Sequence, residues 1–341
     1  MSLTPSPLRR RVRARIHHRP SPPANRARQR GVALITAVLI VALATILAVD
    51  IGFKGYLDQR RTATTFALDQ GYEVALGAEA WAADTLRRDR QNNTKTDDFT
   101  EEWATPIPPI PVDGGEIEGY LEDMQGRFNL NSLVTFEGGV YRKDELAVAR
   151  FARLLEIQEL EPKWAQITVD WIDTGIEPEF PDGAEDSVYT SQSPAYRPPN
   201  MPITRASELL AINGFGLERY RKLEPFVTAL PIGVPINLCT ASAELLDALT
   251  ANQREFTLAK DNLTETRKQR CFPGLQEFSQ PLSGEEKQEL IEAKVVDEKS
   301  SYFRSTVWVT IGTTQLTLYS LLFRTDGTGL VRPILRSYGT P

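Results

Sequence analysis

The first strong pattern along the chain is a continuous apolar stretch. Residues 32–49 contain no charged side chain, and they directly follow an arginine-rich segment that ends at Gly31. As a helix, these eighteen residues rise about 27 Å, close to the roughly 30 Å hydrocarbon thickness of a bilayer. The stretch therefore predicts a membrane-spanning helix. Because positively charged flanks stay in the cytoplasm, we expect the chain after this helix to be exported.

Helical periodicity continues beyond the apolar stretch. Apolar residues recur at steps of three and four over residues 68–86, and no proline occurs between Pro23 and Pro106. This spacing predicts one helix over residues 32–90. The proline-rich residues 106–111 that follow predict an extended connector.

Alternating apolar and polar positions predict strands near both ends of the remaining chain. Residues 115–123 alternate in this way, and residues 125–133 indicate a turn followed by a second strand. Three further strands are predicted at residues 305–311, 315–323 and 330–335. Because the residues between these two groups have mainly helical spacing, we expect an α+β frame that is interrupted by a helical insert.

Within the helical middle, two helices are predicted at residues 143–158 and 162–172. Residues 204–230 predict two short helices around a glycine-containing turn, and residues 237–249 indicate the start of a second such unit, capped by Ser242 or Thr240. Helix-hairpin-helix units can offer backbone N–H groups to nucleic-acid phosphates. A membrane-anchored DNA-binding protein of a DNA-uptake system is therefore an alternative function.

Charge and histidine content argue against that alternative and against catalysis. The chain has a formal net charge of −6, and residues 1–31 contain nine arginines and no acidic residue, so residues 32–341 carry −15. Such a surface repels phosphates, and we expect no nucleic-acid partner. His17 and His18 are the only histidines, which leaves none after residue 31 for a catalytic triad. Since phosphate-binding loops and nucleophile elbows are also absent from the sequence, we expect no enzyme.

Two further groups of residues are candidates for covalent or metal chemistry. Cys239 and Cys271 lack the spacing of a zinc site, and in an exported domain they favour a disulfide. A glycine- and proline-rich loop concentrates carboxylates without the spacing of an EF-hand. It is either a solvated acidic loop or a Ca²⁺ site, because Ca²⁺ takes six to eight oxygen ligands. Its acidic residues are Asp170, Asp173, Glu177, Glu179, Asp182, Glu185 and Asp186.

The junction R-Q-R-G-V-A-L-I-T has two interpretations. In a plain single-span anchor, the basic tail is retained. In a type IV prepilin, the chain is cut before the apolar helix, and the glycine between the last arginine and the first apolar residue resembles that junction. The second interpretation predicts cleavage between Gly31 and Val32 by a prepilin peptidase, with methylation of the new amino group.

Three stretches together resemble the protein K family of the bacterial type II secretion system, the large minor pseudopilins. They are the junction RGVALITAVLIVALATILA, the segment EDMQGRFNLNSL, and DWIDTGIEPEFPDGAEDSVYTSQSPAYRPPN with the hairpin unit after it. The resemblance implies a pilin-like fold, in which a long N-terminal helix packs on a small antiparallel sheet interrupted by a large all-helical domain of the SAM-like or helix-hairpin-helix-like type.

The implied organisation has four parts. Residues 1–31 are a basic leader, residues 32–90 a transmembrane and stalk helix, residues 91–141 and 282–341 the sheet domain, and residues 142–281 the inserted helical domain. The implied function is non-enzymatic: such a subunit initiates or caps the periplasmic pseudopilus at its tip, for export of folded proteins across the outer membrane. The implied location is the bacterial inner membrane, with a single pass and the C-terminal domain in the periplasm. Implied partners are the minor pseudopilins I, J and H and prepilin peptidase.

The resemblance also singles out Thr36. Pilins carry a glutamate five residues into the mature chain, where it pairs with a neighbouring subunit's N-terminal ammonium; a carboxylate in the bilayer is tolerated when it is paired. This chain has threonine there, which cannot form that ion pair. The substitution favours a position at the tip over one inside the fibre.

Calcium sites are associated with this family, so the resemblance favours the Ca²⁺ interpretation of the acidic loop. The residues that carry over as ligands are Asp173, Glu185 and Asp186, together with Asp170. Thr174 and Gly175 depart from the more acidic version of the loop.

Overall fold

The computed structural model describes residues 26–92, 95–251 and 255–340, with side chains from residue 31 onward. The chain divides after Thr64 into two compact units, and the second, residues 65–341, is called the head below. The helices, in chain order, are α1 Arg26–Asn92, α2 Glu145–Ile157, α3 Lys163–Ile172, α4 Asp186–Thr190, α5 Gly216–Leu223, α6 Ala243–Leu249, α7 Glu255–Leu258, α8 Lys260–Arg267, α9 Leu275–Ser279 and α10 Gly284–Lys287. The strands are β1 Ile107–Val112, β2 Gly115–Asp123, β3 Phe128–Asn129, β4 Val134–Glu137, β5 Val140–Lys143, β6 Val227–Thr228, β7 Ile236–Asn237, β8 Val296–Asp297, β9 Tyr302–Ile311, β10 Thr314–Arg324 and β11 Val331–Tyr338.

The first helix, α1, confirms the long helix expected over residues 32–90. Its most apolar eighteen residues have a mean hydropathy of 3.0 and none of them is buried. Among the described residues, α1 is the helix that is long and apolar enough to cross a membrane. Residues 1–25 of the predicted leader lie outside the described residues.

A five-stranded antiparallel sheet of order β1-β2-β9-β10-β11 forms the frame of the head. The strands predicted at residues 115–123, 305–311, 315–323 and 330–335 are therefore confirmed. Within the head, α1 packs on this sheet through small residues: Ala75 is fully buried, and a side-chain carbon placed at Gly71 would lie 3.7 Å from Val309. Burial of Val309 and Ile311 against α1 provides the apolar contact that joins helix and sheet.

Residues 106–111, predicted as a connector, instead form most of β1. Ile110 lies opposite Ile117 of β2, and Val112 lies opposite Gly115. Because β1 is an edge strand, no strand pairs with its outer side. Prolines, which lack a backbone N–H group, therefore remove no backbone hydrogen bond on that side. The connector prediction was wrong because proline content alone does not distinguish an edge strand from a linker.

The chain leaves the sheet between two neighbouring strands, β2 and β9, for residues 124–301. We call these residues the insert; they enclose the range 142–281 predicted from the sequence. The insert has its own core, in which the largest fully buried side chains include Tyr189, Phe128, Phe151, Phe215, Leu130, Leu133, Leu154, Leu155 and Ile172.

The strand predicted within residues 125–133 is reduced to two residues. Phe128–Asn129 pair in parallel with Val227–Thr228 of the insert and do not join the main sheet. The Asn129 side chain accepts a hydrogen bond from the Asn131 N–H at 3.2 Å, which favours a turn over a continuing strand.

The disulfide between Cys239 and Cys271 is present, with the two Cα atoms 4.7 Å apart. It closes a loop with a sequence separation of 32 residues. A loop of this length stabilises a fold by about 3–4 kcal/mol in the chain-entropy model. The predicted cap is present nearby, since the Ser242 Oγ accepts the Leu245 N–H at 3.1 Å.

A buried ion-pair network ties the end of α1 to the sheet. Arg324 on β10 is 1% exposed. Its guanidinium donates to the Asp89 carboxylate at 2.9 Å, to the Ser300 carbonyl at 2.8 Å and to the Asp97 carboxylate. Burial raises the pKa of Asp89 to about 6, although the hydrogen bond from Arg324 opposes that shift.

The same network continues into the base of the insert through Asp123 at the end of β2. Its carboxylate accepts hydrogen bonds from the hydroxyls of Ser300 and Thr240, each at 2.6 Å, and from the Asn237 amide at 2.9 Å. Burial raises the pKa of Asp123, and these hydrogen bonds oppose the shift. The network therefore fixes the insert to the frame with fully partnered polar groups.

Candidate functional site

The acidic loop follows α3, whose last turn presents Asp170. This residue is fully buried, and its carboxylate accepts the backbone N–H groups of Ala184 at 2.6 Å and Glu179 at 3.2 Å. Gly183 makes this close approach possible, because a side-chain carbon there would lie 2.2 Å from the Asp170 carboxylate. Burial raises the pKa of Asp170 to about 6, with like-charge repulsion from Asp173 and Glu179 adding to the shift. Asp170 thus folds the loop back on α3.

Asp173 and Glu185 lie at the two ends of the loop, and both are buried, at 8% and 2% exposure. The Asp173 carboxylate accepts the Gly175 N–H at 2.9 Å. Neither oxygen of Glu185 accepts a hydrogen bond of normal geometry from the described residues. Burial raises the pKa of Glu185 to about 7, and the charges of Asp170, Asp173 and Asp186 raise it further. A buried carboxylate among carboxylates without donors requires a proton or a cation.

The remaining acidic residues of the loop have other surroundings. Asp186 is part-exposed and lies 3.4 Å from the Arg197 guanidinium. Glu179 forms an ion pair with Lys143, while Glu177 and Asp182 are exposed. Of the residues predicted as ligands, Asp170, Asp173 and Glu185 are therefore buried, whereas Asp186 is part-exposed.

A second carboxylate cluster, which the sequence did not predict, lies at the end of α1. Oxygens of Asp89, Asp97 and Glu101 lie within 4.8 Å of one another, and within the described ranges this is the triplet that meets that criterion. Arg324 contacts two of these carboxylates directly. Because the Arg324 guanidinium lies against two of the three carboxylates, we interpret the cluster as part of a structural ion-pair network.

Thr36 lies on the exposed surface of the apolar part of α1. Its hydroxyl donates back to the helix, with the carbonyls of Val32 and Ala33 at 3.1 and 3.0 Å. The polar group is therefore satisfied within its own helix, as expected for a threonine in an apolar environment. It presents no charge to a neighbouring helix.

The helix-hairpin-helix unit does not display a basic face around its turn. Arg219 pairs with Glu161, from Nε to the carboxylate at 3.1 Å, and its guanidinium carbon lies 5.1 Å from the centre of the Trp164 ring. Gly214 adopts a positive φ of 80°, and a side-chain carbon there would contact Trp164 at 3.6 Å. The hairpin thus packs on α3. The DNA-binding alternative receives no support from this geometry.

Sequence reasoning missed Asn200 beside the acidic loop. Its side-chain N–H donates to the Gly175 carbonyl at 2.8 Å, while its buried side-chain oxygen accepts no hydrogen bond from the described part of the chain. A lone asparagine in a proline-rich segment carries no sequence signal by itself. Only the folded contact with Gly175 identifies it.

The architecture of the head defines the class of protein. Helix α1 lies on an antiparallel sheet, and a helical insert separates two neighbouring strands of that sheet in the sequence. This arrangement is a pilin-like fold with an inserted domain. A family model for type II secretion system (T2SS), protein K matches residues 126–232. The type II secretion system protein K of Pseudomonas aeruginosa is 35% identical over 271 residues, covering 75% of this chain and 77% of that protein. That of Pectobacterium carotovorum is 31% identical over 327 residues, covering 92% and 98%. The chain belongs to the type II secretion system protein K family.

A solved structure has the same fold. It is described as the crystal structure of the GspK-GspI-GspJ complex from the enterotoxigenic Escherichia coli Type 2 Secretion System. The likeness has a TM-score of 0.72 at 24% identity, and covers 82% of this chain and 100% of the solved chain. The predicted pilin-like fold is therefore confirmed.

Proposed function

We propose that this protein is the minor pseudopilin that initiates or caps the tip of the periplasmic pseudopilus, and that it acts in the export of folded proteins as a structural subunit. The observation that supports the proposal is the insert of residues 124–301, placed between two neighbouring strands of a pilin-like frame. A subunit inside a regular fibre has to repeat the same contacts above and below. An insert of this size adds bulk that a repeating stack has no room for, whereas a tip subunit has a free upper side.

Thr36 supports the same position. Because its hydroxyl bonds to its own helix, it offers no anion to the N-terminal ammonium of a subunit beside it. The ion pair that sets the register between pilin subunits is therefore missing on this chain. A terminal subunit tolerates that loss better than an internal one.

The proposed partners are the minor pseudopilins I and J, with H at the next position down the fibre. The support is the likeness to a chain solved in a GspK-GspI-GspJ complex. The proposed location is the bacterial inner membrane, with α1 crossing it once and the head in the periplasm. The long apolar part of α1 supports this placement.

The tip position is tested by labelling sheared fibres with gold-conjugated antibody against the head. We expect label at one end of each fibre. Label distributed along the whole length would show that the protein is a repeating subunit, and would contradict the proposal.

We propose in addition that prepilin peptidase cleaves the chain between Gly31 and Val32 and that the new amino group is methylated. Changing Gly31 to valine should block cleavage, so the membrane form keeps the leader and migrates as the longer species on a gel. Gly52→Val is the matched control: it lies in the same helix, and a side-chain carbon there meets no atom within 4 Å. A wild-type protein that retains residues 1–31 in the mature membrane form would contradict the proposal.

We propose that the acidic loop binds Ca²⁺, with Asp173 and Glu185 as direct carboxylate ligands. Asp170 supports the loop from inside, and Asp186 contributes at the rim. The unpartnered oxygens of buried Glu185 fit a hard cation. When bound, the ion supplies positive charge that removes the repulsion between these carboxylates and orders the loop.

A further inference from the structure

A cavity of about 270 Å³ lies inside the insert, and none of the carboxylates of the acidic loop lines it. Four separate segments form its walls: residues 128–135, the first turns of α2, residues 232–236 and residues 293–295. Most of the lining is apolar and consists of Phe128, Val134, Ile232, Val234, Ile236 and Val295. Pockets for drug-sized ligands measure roughly 300–1,000 Å³, so this cavity suits a small ligand.

A buried arginine, Arg150 of α2, lines this cavity. It is 5% exposed, and its guanidinium donates a hydrogen bond to the Glu289 carboxylate at 3.4 Å. This distance is long for a charge-assisted hydrogen bond, which usually spans about 2.7–2.9 Å. The buried Arg267, by comparison, donates to the Phe272 and Leu238 carbonyls at 2.6 and 2.7 Å. A guanidinium carries several N–H donors, and the others of Arg150 make no hydrogen bond within the part of the chain that the structure describes.

Nearby carboxylates balance the charge of Arg150 only weakly. Burial lowers the pKa of Arg150, and the charges of Glu289 and Asp144 oppose this shift; arginine nevertheless stays protonated. The Asp144 carboxylate caps α2 by accepting two backbone N–H groups, each at 3.0 Å, and is therefore engaged at the start of the helix. Lys294, an exposed residue of the lining, adds a second positive charge. Because a buried charge costs free energy unless it is paired, an anionic ligand would stabilise this wall of the cavity.

We propose that this cavity binds a carboxylate attached to a short aliphatic group, with the Arg150 guanidinium as the group that binds the anion. The fork of N–H donors on arginine matches the two oxygens of a carboxylate, and the apolar walls fit an aliphatic body. A doubly charged phosphate is less suitable, because the charges of Glu289 and Asp144 act on the same guanidinium and would repel it. Two sources carry the proposed chemistry: a free small carboxylic acid, or the C-terminal residue of a polypeptide.

Isothermal titration calorimetry on the full chain in detergent tests the proposal with three probes. They are N-acetyl-leucine, a pentapeptide that ends in leucine, and the same peptide with an amidated C-terminus. We expect a free carboxylate to bind and the amide to bind about tenfold or more weakly, because the amide loses a charge-assisted hydrogen bond. Equal or tighter binding of N-acetyl-leucine would assign the site to a free acid, and tighter binding of the peptide would assign it to a chain terminus.

Arg150→Met keeps most of the bulk of the side chain and removes its charge, so the affinity for the carboxylate probes should fall about tenfold or more. Arg153→Met is the matched control. Arg153 lies on the same helix and donates to the Ala248 carbonyl at 2.8 Å, but it does not line the cavity. The affinity of this control for the carboxylate probes should match that of the wild type.

Glu289→Gln gives an independent result if Arg150→Met does not fold. It removes the carboxylate that competes for the guanidinium, so the affinity for the carboxylate probes should rise. Equal binding of acid and amide, unchanged affinity in Arg150→Met, or no stronger binding in Glu289→Gln would overturn the proposal. A wild-type chain that binds none of the three probes would overturn it as well.

Discussion

Replacing Arg324 with leucine should lower the free energy of unfolding of the head by about 3–5 kcal/mol, because it leaves buried carboxylates without their counter-ion. Arg324 is 1% exposed and hydrogen-bonds to Asp89 and Asp97. Arg90 also forms an ion pair with Asp97, at 3.8 Å, but its Nη1 makes no hydrogen bond within the described residues and so does not replace the hydrogen bonds of Arg324. Urea unfolding of residues 65–341, a compact unit with its own cores, measures the effect.

Arg332→Leu is the matched control for this experiment. Arg332 lies on neighbouring strand β11 and is exposed, with its guanidinium carbon 5.6 Å from the centre of the Phe323 ring. Its loss should change the free energy of unfolding by less than about 1 kcal/mol. If the two substitutions lowered the free energy of unfolding equally, the buried network would add no more stability to the junction of α1, sheet and insert than an exposed arginine does.

Removing Ca²⁺ should lower the melting temperature of the head by roughly 5–10 °C. A ligand present at about one hundred times its dissociation constant stabilises the folded state by about 2.7 kcal/mol, and for a domain of this size each kcal/mol corresponds to roughly 2–4 °C. Without the ion, Asp173 and Glu185 stay buried, and the charge of Asp173 acts on Glu185 with no cation to offset it. Melting curves recorded with and without chelator provide the measurement.

Two variants make the Ca²⁺ prediction specific to the loop. Asp173→Ala combined with Glu185→Ala should abolish the response to chelator. Asp182→Ala should retain it, because Asp182 is an exposed acid of the same loop. A wild-type melting curve that does not change on chelation would mean that the carboxylates are a solvated acidic loop.

The regular elements were predictable where the pattern is local. The three- and four-residue spacing over residues 68–86 of α1 and the alternation in β2, β9 and β10 reflect a single buried face, so the sequence alone indicates them. The strand β1 was not predictable, because its pairing with β2 depends on Ile110 meeting Ile117 across the sheet edge. The pairing of Phe128–Asn129 with Val227–Thr228 is likewise set by contacts about a hundred residues apart in the chain.

The candidate site was likewise only partly predictable from the sequence. Composition identified the acidic loop, but it could not distinguish buried Asp170, Asp173 and Glu185 from exposed Glu177. That difference depends on how closely Gly183 allows the loop to approach α3. Long-range partners, such as Arg324 for Asp97 and Asn200 for Gly175, carry no signature in the local sequence.

We expect this head to act as a terminal subunit that assembles with minor pseudopilins I and J. Native mass spectrometry of residues 65–341, alone and mixed with the heads of those two proteins, tests it most directly. We expect a monomer for the head alone and a one-to-one-to-one assembly in the mixture. A homopolymer formed by the isolated head, or a mixture in which the three heads remain separate, would contradict it.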